Sequence, residues 1–160
     1  SDTSESTSVS SVVKGKTYTV NNQKYKVTKI ATASTAGTVT FVRAKNAKSV
    51  TVPKYVTLKD GLKYNVTAIG SKAFTASKIR TVTIGANVKK IGSNAFKGSK
   101  ATKIILKTKK LTKAKVKGCL NGSKVTSVKV NVGTTKLNKT YINKTYIGKT
   151  YIGKIYIGKI

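Results

Sequence analysis

The clearest pattern along the chain is a set of short runs in which polar residues alternate with aliphatic ones. Ser49-Val50-Thr51-Val52, Thr81-Val82-Thr83-Ile84, Lys103-Ile104-Ile105-Leu106 and Ser127-Val128-Lys129-Val130 all keep an aliphatic residue at the second and fourth positions. A period of two is that of a β-strand with one covered face. The surroundings of these runs also recur. Ile69-Gly70-Ser71-Lys72-Ala73-Phe74 returns 22 residues later as Ile91-Gly92-Ser93-Asn94-Ala95-Phe96, and the same shift carries Val66 to Val88, Val82 to Ile104 and Ile84 to Leu106. A degenerate third copy follows at a shift of 24, taking Phe96-Lys97-Gly98-Ser99 to Leu120-Asn121-Gly122-Ser123.

Repeats of this length are single structural units that cannot bury their apolar faces alone, so neighbouring copies must stack. Stacking predicts two buried columns, Val50/Val82/Ile104/Val128 and Val52/Ile84/Leu106/Val130. A third column, Phe74/Phe96/Leu120, fills the wide part of each coil. The stretches 71–74 and 93–96 read as single helical or 3₁₀ turns with Ser as cap. The fold class expected is mainly β: a short solenoid of 22–24-residue coils, each a strand plus a short helical or 3₁₀ turn, with a β-hairpin cap at the amino-terminal end.

The cap is read from residues 16–20 and 24–28 flanking Asn21-Asn22, a hairpin turn signal. Asp60-Gly61 between Thr/Leu/Tyr runs marks a second hairpin. Tyr25-Lys26-Val27-Thr28-Lys29-Ile30 also echoes Tyr64-Asn65-Val66-Thr67-Ala68-Ile69 at a shift of 39. The organisation expected is a flexible Ser/Thr-rich leader over 1–13, a hairpin-rich cap over 14–48, the solenoid over 49–132 and a low-complexity tail over 133–160. In that tail Lys139-Thr140-Tyr141-Ile142-Asn143 repeats with a period of five, which matches neither strand nor helix. Repeat expansion or an incomplete chain end accounts for it, or else a Tyr-Ile ribbon closing the last coil.

Ile91-Gly92-Ser93-Asn94-Ala95-Phe96-Lys97-Gly98, followed by Lys103-Ile104-Ile105-Leu106, resembles the BspA-type leucine-rich repeat of bacterial surface proteins. That pattern runs Ile-Gly-x-x-Ala-Phe-x-x-Cys-x-x-Leu-x-x-Ile-x-Ile/Leu-Pro. Here Ser77 and Ser99 stand at the Cys position, and the Pro that ends the strand survives only as Pro53. The resemblance implies an exported bacterial protein, secreted or held at the cell surface, associated with adhesion and with protein or glycan binding.

Charge narrows the chemistry. Thirty-three basic residues face three acidic ones, Asp2, Glu5 and Asp60, for a net charge of +30. Few internal ion pairs can offset that repulsion, and the field attracts anions. With no His and a single carboxylate after residue 5, neither a general acid–base pair nor the two carboxyl groups of a glycosidase can be assembled. One Asp and one Cys make no metal site, and no glycine-rich nucleotide loop occurs. The expectation is therefore no enzyme, no catalytic residue, no metal and no cofactor. Cys119 aligns with Ala73 and Ala95, which reads as a small packed residue; Asp60 reads as a hairpin-turn residue. No run reaches the roughly 20 apolar residues of a membrane span.

The outward positions of the strands form two further columns, Ser49/Thr81/Lys103/Ser127 and Thr51/Thr83/Ile105/Lys129. These eight residues are the candidate binding face, since a rigid sheet presents side chains at fixed spacing. The function expected is a non-catalytic cell-surface binding or adhesion module that contacts an extracellular protein or an anionic glycan through this face, aided by lysine charge. The alternative is a structural segment held to cell-wall polymer or another polyanion by charge alone. Nucleic-acid binding is more remote: all the basic residues except Arg43 and Arg80 are lysine, whereas base reading and base stacking favour Arg. Only non-specific, salt-sensitive binding to nucleic acid is expected.

Overall fold

A computed structural model describes residues 11–108, 119–120, 123–130, 140–147 and 150–157. Its strands are β1 (Thr17–Val20), β2 (Gln23–Lys29), β3 (Gly37–Arg43), β4 (Ser49–Val52), β5 (Tyr55–Thr57), β6 (Lys63–Ile69), β7 (Thr81–Ile84), β8 (Lys90–Ile91), β9 (Lys103–Leu106), β10 (Ser127–Val130), β11 (Thr140–Ile147) and β12 (Thr150–Ile157). They form a parallel sheet in the order β10-β9-β7-β4, a mixed sheet β1-β2-β3-β6-β5 with β8 also on β6, and the separate pair β11-β12.

The parallel sheet is built by the repeats. Val50, Val82, Ile104 and Val128 lie in register across it, as do Val52, Ile84, Leu106 and Val130. Val50, Val52, Val82, Ile84, Ile104, Leu106 and Val128 are all buried. The hydrogen bonding continues into the corners, where Gly85 N–H donates to the Val52 carbonyl and Lys107 N–H to that of Ile84. At one corner Gly85 is required, because a Cβ there would lie 2.6 Å from the Val52 carbonyl oxygen. At the other, Lys72 N–H donates to the Asn94 carbonyl (2.9 Å) and Ala73 N–H to that of Ala95 (3.2 Å), so the corners are laced together as the strands are.

Within the corner after Gly92, Ala95 N–H donates to the Gly92 carbonyl and Lys97 N–H to that of Asn94. These are the three-residue spacings of a 3₁₀ turn, arranged as consecutive turns with no run long enough to be a helix. Phe74 stacks on Phe96 at 4.6 Å between ring centroids, and Leu120 is fully buried, as the third column requires. The stack extends further than the repeats: Phe41 lies on Phe74 at 5.6 Å, and Tyr25 meets Phe41 edge-on at 5.4 Å. Residues of both sheets therefore share one apolar core.

The mixed sheet opens with the expected hairpin. Asn21 and Asn22 both have positive φ (50° and 64°), the backbone a two-residue turn of this kind demands. The second hairpin joins β5 to β6 with Gly61 at φ 75°. Asp60 closes it: one carboxylate oxygen accepts Leu62 N–H at 3.0 Å and the other accepts the Tyr64 hydroxyl at 2.7 Å. The echo between the Tyr25 and Tyr64 segments is not a repeat of position. β2 runs antiparallel to β3 on one side, whereas β6 runs parallel to β3 on the other. Of the expected leader, residues 1–10 lie outside the described residues; Val12 packs against the core and Val13 N–H donates to the Tyr18 hydroxyl at 2.7 Å. The pentapeptide copies pair as β11 and β12, with two register shifts between Ile142 and Tyr146.

Candidate binding face

The four parallel strands carry their polar residues on the side away from the core. Ser49, Thr81, Lys103 and Ser127 are aligned across the sheet, and so are Thr51, Thr83, Ile105 and Lys129. Adjacent strands are about 4.8 Å apart, which sets the step along each row. Ser49, Thr51, Lys103 and Ser127 are exposed; Thr81, Thr83 and Ile105 are half-buried by their neighbours. For Lys129 the structure describes the strand position only, opposite Ile105. The rows offer hydroxyls and ammonium groups around one aliphatic step at Ile105. Such a surface can donate and accept hydrogen bonds and attract anions.

A feature not anticipated from the pattern lies at the end of this face. β4 pairs with β7 on one side only, and its other edge borders a groove of about 480 Å³ whose walls include Asn21, Lys45, Ser49, Thr51 and Tyr55. Gln23 on β2 is buried there. Its Nε2 donates to the Thr51 carbonyl (3.0 Å) and to the Tyr25 hydroxyl (3.3 Å), while its Oε1 accepts Lys45 N–H (3.3 Å). The one available signal was a glutamine at an inward position of β2, alternating with Tyr25 and Val27.

The groups with reactive potential are quiet. Cys119 is buried in the small-residue column with Ala73 and Ala95, and burial pushes its thiol up from 9.0 to about 12. A thiol so placed stays protonated at neutral pH and is a poor nucleophile. Burial also raises Tyr25 and Tyr64, against the hydrogen bond from Gln23 in the first case and helped by Asp60 in the second. Among the described residues no three His, Cys, Asp or Glu side chains gather to hold a metal ion. No helix among them is long and apolar enough to cross a membrane.

With parallel coils, an aromatic corner column and an Ile-Gly-x-x-Ala-Phe turn in place, the class is that of leucine-rich-repeat proteins. The profile of the BspA-type leucine-rich repeat region matches residues 59–159 in six copies, and the chain belongs to that family. The match takes in the pentapeptide tail as well as the strands of the parallel sheet from β7 onward. Among solved structures, a leucine-rich repeat protein from Bacteroides capillosus is similar at 24% identity, covering 72% of this chain and 70% of that one with a TM-score of 0.46. The pneumococcal vaccine antigen PcpA is similar at 22% identity and a TM-score of 0.47; the match covers 79% of this chain and 40% of that one. No curated protein matches the sequence.

Proposed function

We propose that the chain is a non-catalytic binding module, exported and displayed at a bacterial surface, that holds an extracellular protein or an anionic glycan on the outer face of its parallel sheet. The observation that carries this reading is the alignment of Ser49, Thr81, Lys103 and Ser127 beside Thr51, Thr83, Ile105 and Lys129 in unbroken register. A regular polymer meets regularly spaced partners on such a surface, and many modest contacts add without much ordering cost because the sheet is already rigid. Lysine charge speeds encounter and lengthens retention. Family membership supports export and surface display.

A second reading has its own support in the net charge of +30. On that reading the segment is held by charge to an anionic wall polymer, and the sheet face contributes nothing specific. An array of matrix proteins and glycans, probed at low salt and at about 0.5 M salt, separates the two, because screening shortens the reach of exposed charges to a few ångströms. The face reading expects a subset of spots to persist at high salt and to disappear in the Thr83→Ala/Ile105→Ala/Lys129→Ala variant. Loss of every spot with salt, or an unchanged pattern in the variant, sinks it.

A further inference from the structure

The open edge of β4 is the place where the sheet face meets the hairpin strands, and its charge is of one sign. Thr81 N–H donates to the Lys48 carbonyl and Gly85 N–H to that of Val52. Even-numbered residues of β4 therefore face β7, and the peptide groups of Ser49 and Thr51 are turned the other way, toward the groove. The Thr51 carbonyl is taken by Gln23, and Pro53 brings no N–H. What the edge turns to the groove is the amides and hydroxyls of Ser49 and Thr51 and the Ser49 carbonyl, with exposed Lys45 beside them to make the site positive.

An aromatic plate stands at the rim. Tyr55 is 43% exposed. The ammonium groups of Lys63 and Lys54 lie over its ring, 4.6 Å and 6.0 Å from the centroid, and these exposed chains must swing aside for a sugar face to stack there. No carboxylate lines the groove, and Asp60 is already held by Leu62 and Tyr64. A neutral sugar could use the acceptors of the groove but would leave the Lys45 charge unmatched. A carboxylate or sulfate group needs only donors and positive charge, and an apolar sugar face packs well on an aromatic ring. An extended peptide would have to add to a two-residue edge that ends in proline and is plugged by Gln23, which is how proteins discourage strand addition.

We infer that the groove along β4 is a subsite for an acidic sugar residue, with the Ser49 and Thr51 amides and Lys45 receiving the anion and Tyr55 the sugar face. The subsite opens onto the candidate face through Ser49 and Thr51, which belong to both. The inference rests on the reading of the chain as a surface binding module and commits that module to acidic glycans.

The test is fluorescence anisotropy of a labelled heparin hexasaccharide with the full chain at about 0.5 M salt, where diffuse attraction is screened. Lys45→Ala/Tyr55→Ala is expected to weaken binding about tenfold or more, whereas the matched surface change Lys78→Ala costs less than about twofold. Both groove residues are exposed, so the fold is expected to persist, and Tyr55→Phe, which keeps the ring, should retain most of the affinity. Equal weakening by the groove and Lys78 variants overturns the subsite, as does an unlabelled extended acidic peptide that competes as well as the sugar does. If Thr83→Ala/Ile105→Ala/Lys129→Ala removes sugar binding and the groove variant does not, the face stands and the groove fails. The converse result keeps the groove and removes the face.

Discussion

The two sheets use the same narrow set of residues and reach different degrees of order. In the parallel sheet every neighbouring pair is matched residue for residue over four positions. In the mixed sheet the pairings of β2 with β3 and of β3 with β6 both contain register shifts. The difference follows from the repeats. From β7 onward, coils of 22 and 24 residues return each strand to the same height, and β4 keeps that register across a longer link of 32 residues (81 − 49). Among the other strands up to β6 no such coil recurs, and the ladder absorbs the mismatch in bulges. Gly37 is one price of that irregularity, since a Cβ there would meet the Tyr64 ring at 2.5 Å.

The aromatic stack joins the two regions, and breaking it is expected to have the largest effect. Phe74→Ala should cost about 3–5 kcal/mol, the usual range for deleting a buried aromatic ring. Because Phe74 lies between Phe41 of the mixed sheet and Phe96 of the repeats, urea unfolding followed by separate probes in each region should shift together. Separate transitions would show that the sheets are less coupled than the shared core implies.

A smaller effect, read between pH 9 and 10, concerns the corner column, where the third copy has Cys119 in place of Ala. The buried thiol's value is raised from 9.0 to about 12. Its stabilising contribution is thus level below pH 9 and is lost as pH rises toward 12, at up to about 1.4 kcal/mol per pH unit. Cys119→Ala removes that slope, so the variant should gain on the parent above pH 9 in denaturant titrations and keep a constant offset below it. A parallel pH dependence for both proteins would place the thiol in contact with water. Smallest of all is the expected response of the outer face to a single change. Lys103→Thr should alter stability by less than about 0.5 kcal/mol, in contrast to Phe74→Ala at the core end of the same coils.

The parallel sheet was legible because apolar identity, a glycine turn and an Ala-Phe pair recur together at 22 residues. Any one of these alone would have been ambiguous. The Asn21-Asn22 and Asp60-Gly61 hairpins were legible because positive φ is demanded of few residue types. β3 was not read, although Thr38-Val39-Thr40-Phe41 alternates as cleanly as Thr81-Val82-Thr83-Ile84, because it has no copy elsewhere in the chain to mark it. Without β3, the shared motif of the Tyr25 and Tyr64 segments suggested equivalence instead of two strands flanking a third. The eight positions of the outer face followed from strand parity alone. The groove did not, because it depends on how Gln23 and the cap meet the edge of β4, a contact 28 residues apart in the chain that no local pattern encodes.

The proposed binding face rests on the alignment of the outer rows, and that alignment can be measured by cross-linking in a Cys119→Ala background. Register partners on neighbouring strands fall within disulfide reach, whereas diagonal positions lie about 8 Å apart, too far to bridge. Oxidation of Thr81→Cys/Lys103→Cys should give rapid and complete intramolecular cross-linking, and Thr81→Cys/Ile105→Cys should give almost none. Efficient cross-linking of the diagonal pair, or equal yields from both, would contradict the alignment and with it the face.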